Sequence, residues 1–535
     1  MGGGGFIPNA FNFWVVVYVA LGSTACSYGL AIIGSTLGQP SFYKSLGLAV
    51  QGEPGYDRTA NLISAFNGVS SAGSCLGAIY NSWSADALSR KHTIQIGAVV
   101  LSIGAALCAG SINVGMFIFA RFLAGVGIGL SLCSFSVWKC IDCSPSQGIL
   151  VTCIPMYQAE VSTPESRGFM VSMHGIMFAV GYSLSAFIGL GVYFITASGS
   201  PSSFPWRFPL AFQAAPALLM LAGSSFLPYS PRWLLQKGRH EEAESVLKRL
   251  HTRKGDESHE TAIKEFYQMK KQLEHDRRIR AKISRFEIFK TAANRKRALI
   301  GALMMWFNMF TGVLIIANYA VIIFGQLGIS GWLPLLLLAI WTTVSFPGNI
   351  ITALYIDKLG RRAFMLVGST GILVSLIMEC VLQALYAGGT NKSGQRAAIF
   401  FIYLFIVFWS SCFDATQFLY LSEIFPTEVR GQGTAVGMFN WFAAQIVILC
   451  AGPVALNNIT WRFFLVLIVP TALYIPVIYF FFPETNKRSL EDINAQFGDE
   501  VAVHFSGATE AEIEEYRNAM QLEGKAAVLH TEIKV

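Results

Sequence analysis

The sequence predicts an all-α membrane protein of twelve transmembrane helices, arranged as two pseudo-symmetric six-helix halves joined by a helical linker. Three observations carry that prediction. The 535 residues are 53% hydrophobic and only 13% charged, about half the charged share (~25%) of soluble domains. Twelve segments approach the roughly 20 mostly apolar residues that a bilayer-spanning helix needs. Motifs at the loop ends also recur at matched spacing in the two halves.

In chain order the apolar segments fall near 13–35, 61–83, 93–112, 114–133, 168–195, 208–227, 298–325, 331–356, 363–386, 397–420, 433–456 and 461–482. Between the sixth and seventh lies a polar stretch, 232–297, with 19 of the 39 Lys and Arg residues against 10 acids. It includes helix-like runs such as "EEAESVLKRL". Basic loops stay on the cytoplasmic side, so this linker and both termini are expected inside, in a multi-pass protein of the plasma membrane. The short loops "DALSRK" and "DKLGRR" fall on the same face. The predicted organisation is 1–231 for the first half, 232–297 for the linker, 298–493 for the second half and 494–535 for a cytoplasmic tail.

This topology accounts for the net charge of +7 without a nucleic-acid partner. The bilayer and a small-molecule solute are the expected partners, with protons as a further candidate and a monomer as the transport unit. No cleaved secretory signal is expected, because the first apolar stretch is long enough to span and has no small-residue cleavage site. Phe6 stands where N-myristoylation requires Ser or Thr. Ten cysteines scattered mainly through apolar segments do not resemble a secreted disulfide framework. The sequons at Asn391 and Asn458 fall in expected external loops and are candidate glycosylation sites.

The internal repeat is read from the punctuation. Asp86 precedes Arg90 by four residues, and Asp357 precedes Arg361 by four; Arg362 follows in the same motif. Glu160 and Arg167 in "EVSTPESRG" are answered by Glu423 and Arg430 in "EIFPTEVRG". "PYSPRW" after the sixth span is answered by "FPETNKR" after the twelfth. Repeated halves of this kind place a solute site between them near the bilayer midplane. Acids and arginines at helix ends can form bidentate latches across helices, although such residues also anchor helix ends and set topology. Gly125 and Gly129 form a small-xxx-small pair that points to helix packing.

These motifs, together with "RFLAGVGIG" (121–129), "PMYQAEVSTPESRG" (155–168), "SPRWLLQKGR" (230–239), "YLSEIFPTEVRGQGTA" (420–435) and "PETNKRSLEDI" (483–493), resemble the sugar-porter branch of the major facilitator superfamily, its fungal members in particular. The resemblance runs from about residue 14 to 493. It implies alternating-access transport of monosaccharides or similar solutes, by facilitated diffusion or proton symport, with neither organic cofactor nor metal. It also implies a gating role for the paired loop charges and for Arg121 in the fourth span.

Several expected sugar-binding residues are replaced. The fifth span has Gly175, beside His174, where the family has Gln. In the seventh, Asn308 and Met309 stand at the paired glutamines, Leu314 at the asparagine, and only Tyr319 remains of a tyrosine pair, after Asn318. Ser345 takes the place of a common Asn in the eighth. In the tenth, Asp414 and Phe418 stand near a signature glycine and tryptophan, and the eleventh keeps Asn440-Trp441. The substrate-site candidates are therefore His174, Asn308, Asn318, Ser345, Asp414, Asn440 and Trp441, with Trp441 stacking on a ring's apolar face. Fewer amides weaken the case for glucose itself, because a site built for hydroxyls discriminates through polar groups that must stay paired. Proton coupling is open as well. Symporters of the family carry an Asp in the first span facing the fourth-span Arg, whereas this chain has Gly29 opposite Arg121. The best replacement acid is Asp414, about 13 Å deep at 1.5 Å per residue from Glu423. Hydrogen bonding to Ser410, Ser411 or Thr416 would give it a purely structural role. His174 is a further titratable candidate.

The leading expectation is a secondary transporter of a hexose or related small polar solute. A transporter of a less polar secondary metabolite and a non-transporting sugar sensor remain as alternatives. An enzyme is not expected, since no nucleophile–base pair or metal cluster has supporting spacing. One segment is anomalous: deleting 130–148 leaves an unbroken fourth span, "RFLAGVGIGILVTCIPMYQAE". That points to a retained intron; the alternative is a real extra loop, with the fourth span ending near Cys133 and residues 134–148 forming a cytoplasmic excursion. Cys140 and Cys143 have no partner pair with which to build a zinc or redox site.

Overall fold

The computed structural model describes residues 10–132, 157–158, 161, 167–197, 203–251, 263, 266, 269–270, 287–389, 391–426, 429–486, 493 and 496–498. Of the anomalous segment 130–148, residues 133–148 lie outside the described residues, as do residues 494–495 and 499–535 of the tail. The spans are labelled α1 (Ala10–Thr36), α2 (Tyr56–Ala87), α3 (Arg90–Ala109), α4 (Val114–Leu132), α5 (Arg167–Ala197), α6 (Phe204–Phe212 and Ala214–Gly223), α7a (Ala292–Phe310), α7b (Val313–Gln326), α8 (Leu333–Leu359), α9 (Arg361–Tyr386), α10a (Lys392–Cys412), α10b (Thr416–Glu423), α11 (Arg430–Asn458) and α12 (Phe463–Phe481).

Ten of these spans are long and apolar enough by composition alone to cross a membrane. The other two have separate reasons for falling short. Helix α4 runs to the edge of the described residues. Helix α2 buries Ser64, Asn67, Ser70, Ser71 and Ser74, because it packs against α4 and α11 and so presents polar groups to protein rather than to lipid. Small residues allow that approach. A Cβ on Gly125 of α4 would stand 2.1 Å from the Ser70 carbonyl oxygen, and one on Gly77 of α2 would meet Gly129 Cα at 3.1 Å, so both glycines of the pair serve close packing.

The repeat is visible in which helices touch. The most extensive packing in the first half joins α1 to α5, α2 to α4, α3 to α4 and α3 to α6. Adding six to each number gives α7a with α11, α8 with α10a, α9 with α10a and α9 with α12, which are the main pairs of the second half. The same operation exchanges the two largest contacts between halves, α2 with α11 and α5 with α8, and leaves α1 with α7b unchanged. A pseudo-twofold axis relating two six-helix halves produces this pattern.

Three spans are interrupted. The helical pattern is interrupted at Gln213 in α6, at Thr311–Gly312 in α7, with φ of +96° at Gly312, and at Phe413–Ala415 in α10. Breaks inside a membrane are tolerated where protein or a cavity, rather than lipid, meets the freed backbone groups. Helix α7a begins at Ala292, earlier than the apolar pattern from 298 suggests, because Thr291 caps it by accepting from Asn294 N at 3.1 Å. Its first turns thus carry Arg295, Lys296 and Arg297 on helical backbone.

The linker docks on the halves. In the helix His240–His251, Ala243, Leu247 and Leu250 are buried, and Asn12 of α1 donates to the carbonyls of Val161 (3.0 Å) and Leu250 (3.5 Å). At its far end Ile288 N donates to Gln432 Oε1 of α11 at 3.0 Å.

Candidate functional site

The charged motifs gather where α8 gives way to α9 and α10 ends. Arg361 grips Glu423 with two parallel hydrogen bonds, Nε to Oε2 at 3.2 Å and NH2 to Oε1 at 3.0 Å. Thr485 Oγ1 donates to Glu423 at 2.6 Å, and Arg361 NH1 donates to Asn486 at 3.0 Å. Glu484 completes the cluster from beyond α12. Its two oxygens accept from the backbone N–H groups of Arg361 and Arg362, both at 3.0 Å. A carboxylate there satisfies orphan donors at the start of α9 and complements its dipole. Gly360, with φ of +88°, makes room: a Cβ would stand 2.7 Å from Glu484 Oε2. Arg362 lies over the Tyr479 ring at 5.1 Å. Thus Gly360, Arg361, Arg362, Glu423, Glu484, Thr485 and Asn486, drawn from three of the motifs, form one cluster within the second half.

In the first half Arg90 is buried at the start of α3. Asp86, Arg167, Asp357 and Arg430 lie at helix ends, but their side chains fall outside the described residues, as does the whole of Glu160.

Deeper in the membrane, Arg121 is fully buried in α4. No described carboxylate pairs with it; its NH1 and NH2 reach the Gly29 carbonyl (3.3 Å) and Asn67 Oδ1 (3.4 Å). Asn67 donates to the Tyr319 hydroxyl at 2.8 Å, and that hydroxyl donates to the Leu449 carbonyl at 2.8 Å. The chain Arg121–Asn67–Tyr319–Leu449 therefore crosses from the first half into α7b and α11 of the second. A side chain at Gly29 would collide with Gln213 at the break in α6, at 2.4 Å. The space that an acid at position 29 would need holds an amide.

The proposed solute-facing residues divide. His174 bonds Ser23 of α1 at 2.7 Å and lies against Phe178, as a packed histidine does. Asn308 is wholly buried, held by Gln417 of α10b and by Trp409 Nε1 of α10a at 3.2 Å; it ties α7a to both pieces of the broken α10. Asn318, Ser345 and Asn440 each donate to a carbonyl of their own helix, at 3.0, 2.7 and 2.9 Å. Asp414 accepts from Asn349 of α8 at 2.9 Å, rather than from Ser410, Ser411 or Thr416 of its own helix. Trp441 differs from all of these. Its ring packs against two hydrophobic clusters, each of which draws residues from both halves, and its Nε1 is buried with no partner among the described residues. One turn along α11, Gln445 Oε1 is likewise unpaired. The candidate sequons lie on exposed positions: Asn391 caps α10a through Ser393 N and Gly394 N, and Asn458 ends α11.

Sequence reasoning missed Asn67, Asn349, Gln417, Gln445 and Glu484. A signal existed for Asn349. The family's asparagine position in α8 holds Ser345, and an asparagine follows one helical turn later, just as Asn318 follows Leu314 in α7b.

Comparison with known proteins bears on this arrangement. The model of the sugar (and other) transporter family matches residues 15–140 and 143–497. The chain is similar to the MFS-type transporter criB of Aspergillus cristatus, at 28% identity over 91% of this chain and 93% of the relative. It is similar to the sugar transporter STL1 of Saccharomyces cerevisiae, at 27% identity over 96% of this chain and 88% of the relative. Its fold is similar to the inward-open structure of the xylose transporter XylE from E. coli, with a TM-score of 0.70 and 21% identity over 91% of this chain and 99% of that one. The chain belongs to the sugar (and other) transporter family.

Proposed function

We propose that this protein carries a hexose or a related small polar solute across the plasma membrane by alternating access between its halves. The observation that carries the reading is that Trp441 Nε1 and Gln445 Oε1, a donor and an acceptor one turn apart on α11, are both buried without a partner among the described residues. They lie on a helix that packs across the pseudo-twofold interface. Buried polar groups left unpaired are costly, and a hydroxyl group, which both donates and accepts, would satisfy both while the sugar's apolar face stacks on the indole. The bidentate Arg361–Glu423 cluster is the latch of the basic face, and Arg90, Arg121 and the paired loop charges of the first half are its counterpart. By the charge rule that face is cytoplasmic, with both termini inside, and a single chain is the transport unit.

A less polar metabolite is the second reading. It is favoured by the complete burial of Asn308 and the engagement of His174, which leave few amides for hydroxyls. Expression in a host lacking its own hexose carriers separates the two. Growth on single sugars with matching counterflow of the labelled sugar is expected. Failure on every sugar, with the protein correctly at the surface, would replace the hexose reading with the metabolite one.

A further inference from the structure

Among the described residues two carboxylates lie well inside the spans, Glu379 and Asp414. Glu379 of α9 is sealed, 2% exposed, and bonded by Gln383 at 2.9 Å. Asp414 is placed otherwise. The break in α10 turns it out of the helix, and it is half-buried rather than sealed. It lies about 13 Å along the helix from the Glu423 end, deep within the transmembrane region, and keeps part of its surface accessible. One oxygen accepts from Asn349; no described residue donates to the other. Among the described residues no cation accompanies it. Arg121 is committed to Gly29 and Asn67 in the first half, and Arg361 to Glu423 nine residues along.

The elements around it bring few titratable groups. From α5, in the opposite half, Tyr182 lies within electrostatic range of the carboxylate. His174, two turns along the same helix, is turned to Ser23. From α12, Tyr474 packs on Phe413, the neighbour of Asp414; α8 contributes the neutral Asn349. An intramembrane carboxylate with no cation is stable as a neutral acid or in contact with water. It sits where α5 and α8, a contact between halves that alternating access must rearrange, come together.

We infer that Asp414 is the proton-carrying group of this transporter, with Asn349 as a positioning residue. One proton binds the free carboxylate oxygen from one side of the membrane. The O–H bond breaks toward the other side after the halves rock, so one proton crosses with each solute. The inference rests on the transporter reading above, and its test separates the two. In the hexose-carrier-deficient host, labelled D-glucose, D-fructose and D-mannose are followed in counterflow and in net uptake across an imposed pH gradient. Counterflow by the wild type establishes sugar transport. A gradient of one pH unit then supports about tenfold accumulation at one proton per solute, abolished by a protonophore. Asp414→Asn should lose accumulation, with the uptake that remains no longer dependent on pH, while Asp414→Glu keeps both accumulation and the pH dependence. Continued uphill accumulation by Asp414→Asn would overturn the assignment. Should Asp414→Asn not reach the surface, Asn349→Leu is read instead: it should move the pH of half-maximal accumulation, and an unchanged profile counts against the inference. If the wild type exchanges none of the sugars, the hexose reading fails on its own. Difference infrared spectra of the purified protein then decide the proton site, through a titrating carboxyl band that Asp414→Asn must remove.

Discussion

Replacement of Glu484 probes how the cluster at the basic face is held together. Its carboxylate accepts four backbone N–H groups at 3.0 Å, from Arg361, Arg362, Thr485 and Asn486, and it sits at the start of the 26-residue α9. Removing a side-chain cap costs about 1 kcal/mol. Loss of a partly buried charge at a helix N-terminus adds roughly 0.3–2 kcal/mol. Glu484→Ala should therefore lower the stability of the purified protein by about 2 kcal/mol in a denaturant titration. Glu484→Gln keeps one oxygen acceptor without the charge and should cost about half of that. Because the same segment positions Thr485 and Asn486 against Glu423 and Arg361, both variants should also slow transport. A loss below about 0.5 kcal/mol for Glu484→Ala, or equal losses for the two variants, would refute the argument that charge and cap act together.

Other perturbations address the interior. Tyr319→Phe strands Asn67 Nδ2 and the Leu449 carbonyl, at about 1–3 kcal/mol. Labelling of an Asn457→Cys probe by an impermeant thiol reagent should accelerate about tenfold, since 1.4 kcal/mol is a factor of ten; an unchanged rate would remove the Tyr319 link from the account. Gly125→Val places side-chain atoms into the Ser70 carbonyl, where a Cβ alone would stand 2.1 Å away, so folded protein should be lost. Gly191→Ala, with nothing within 4 Å, should be recovered in full by size-exclusion chromatography. Trp441→Phe deletes a donor that the protein itself leaves unpaired. Stability should hold while KM for the transported solute rises about five- to tenfold, the value of one hydrogen bond of about 1 kcal/mol. An unchanged KM would take Trp441 out of the solute site.

The spans and their repeat are legible in the sequence because apolar length and motif spacing are local properties. Helix α2 shows the limit of composition: its buried serines and Asn67 make it read as polar, while its enclosure by α4 and α11 depends on residues far along the chain. The start of α7a is hidden for a related reason, since Thr291 caps a turn whose arginines and lysine lack apolar character. The site was legible in its residue types more than in its pairings. Asp414 and Trp441 stand out in a scan of the chain, but the donor to Asp414 comes from Asn349, set by the register of α8 on α10. Likewise, Glu484 reaches α9 across more than a hundred residues. Asn308 was a natural candidate for solute contact, yet the break in α10 turns Gln417 and Trp409 onto it.

Alternation of the two halves is the central claim, and the hydrogen bond of Asn457 Nδ2 to Asp57 Oδ1, 2.6 Å long, offers a direct handle on it. It joins α2 to α11 on the face opposite the charged cluster, so a cross-link there holds that face shut. A double variant carrying Asp57→Cys and Asn457→Cys, treated with a short bifunctional thiol reagent with a reducible link, is then assayed for counterflow of the transported solute. Alternating access predicts that cross-linking stops exchange and that reduction restores it. Full exchange with the cross-link in place would contradict the account.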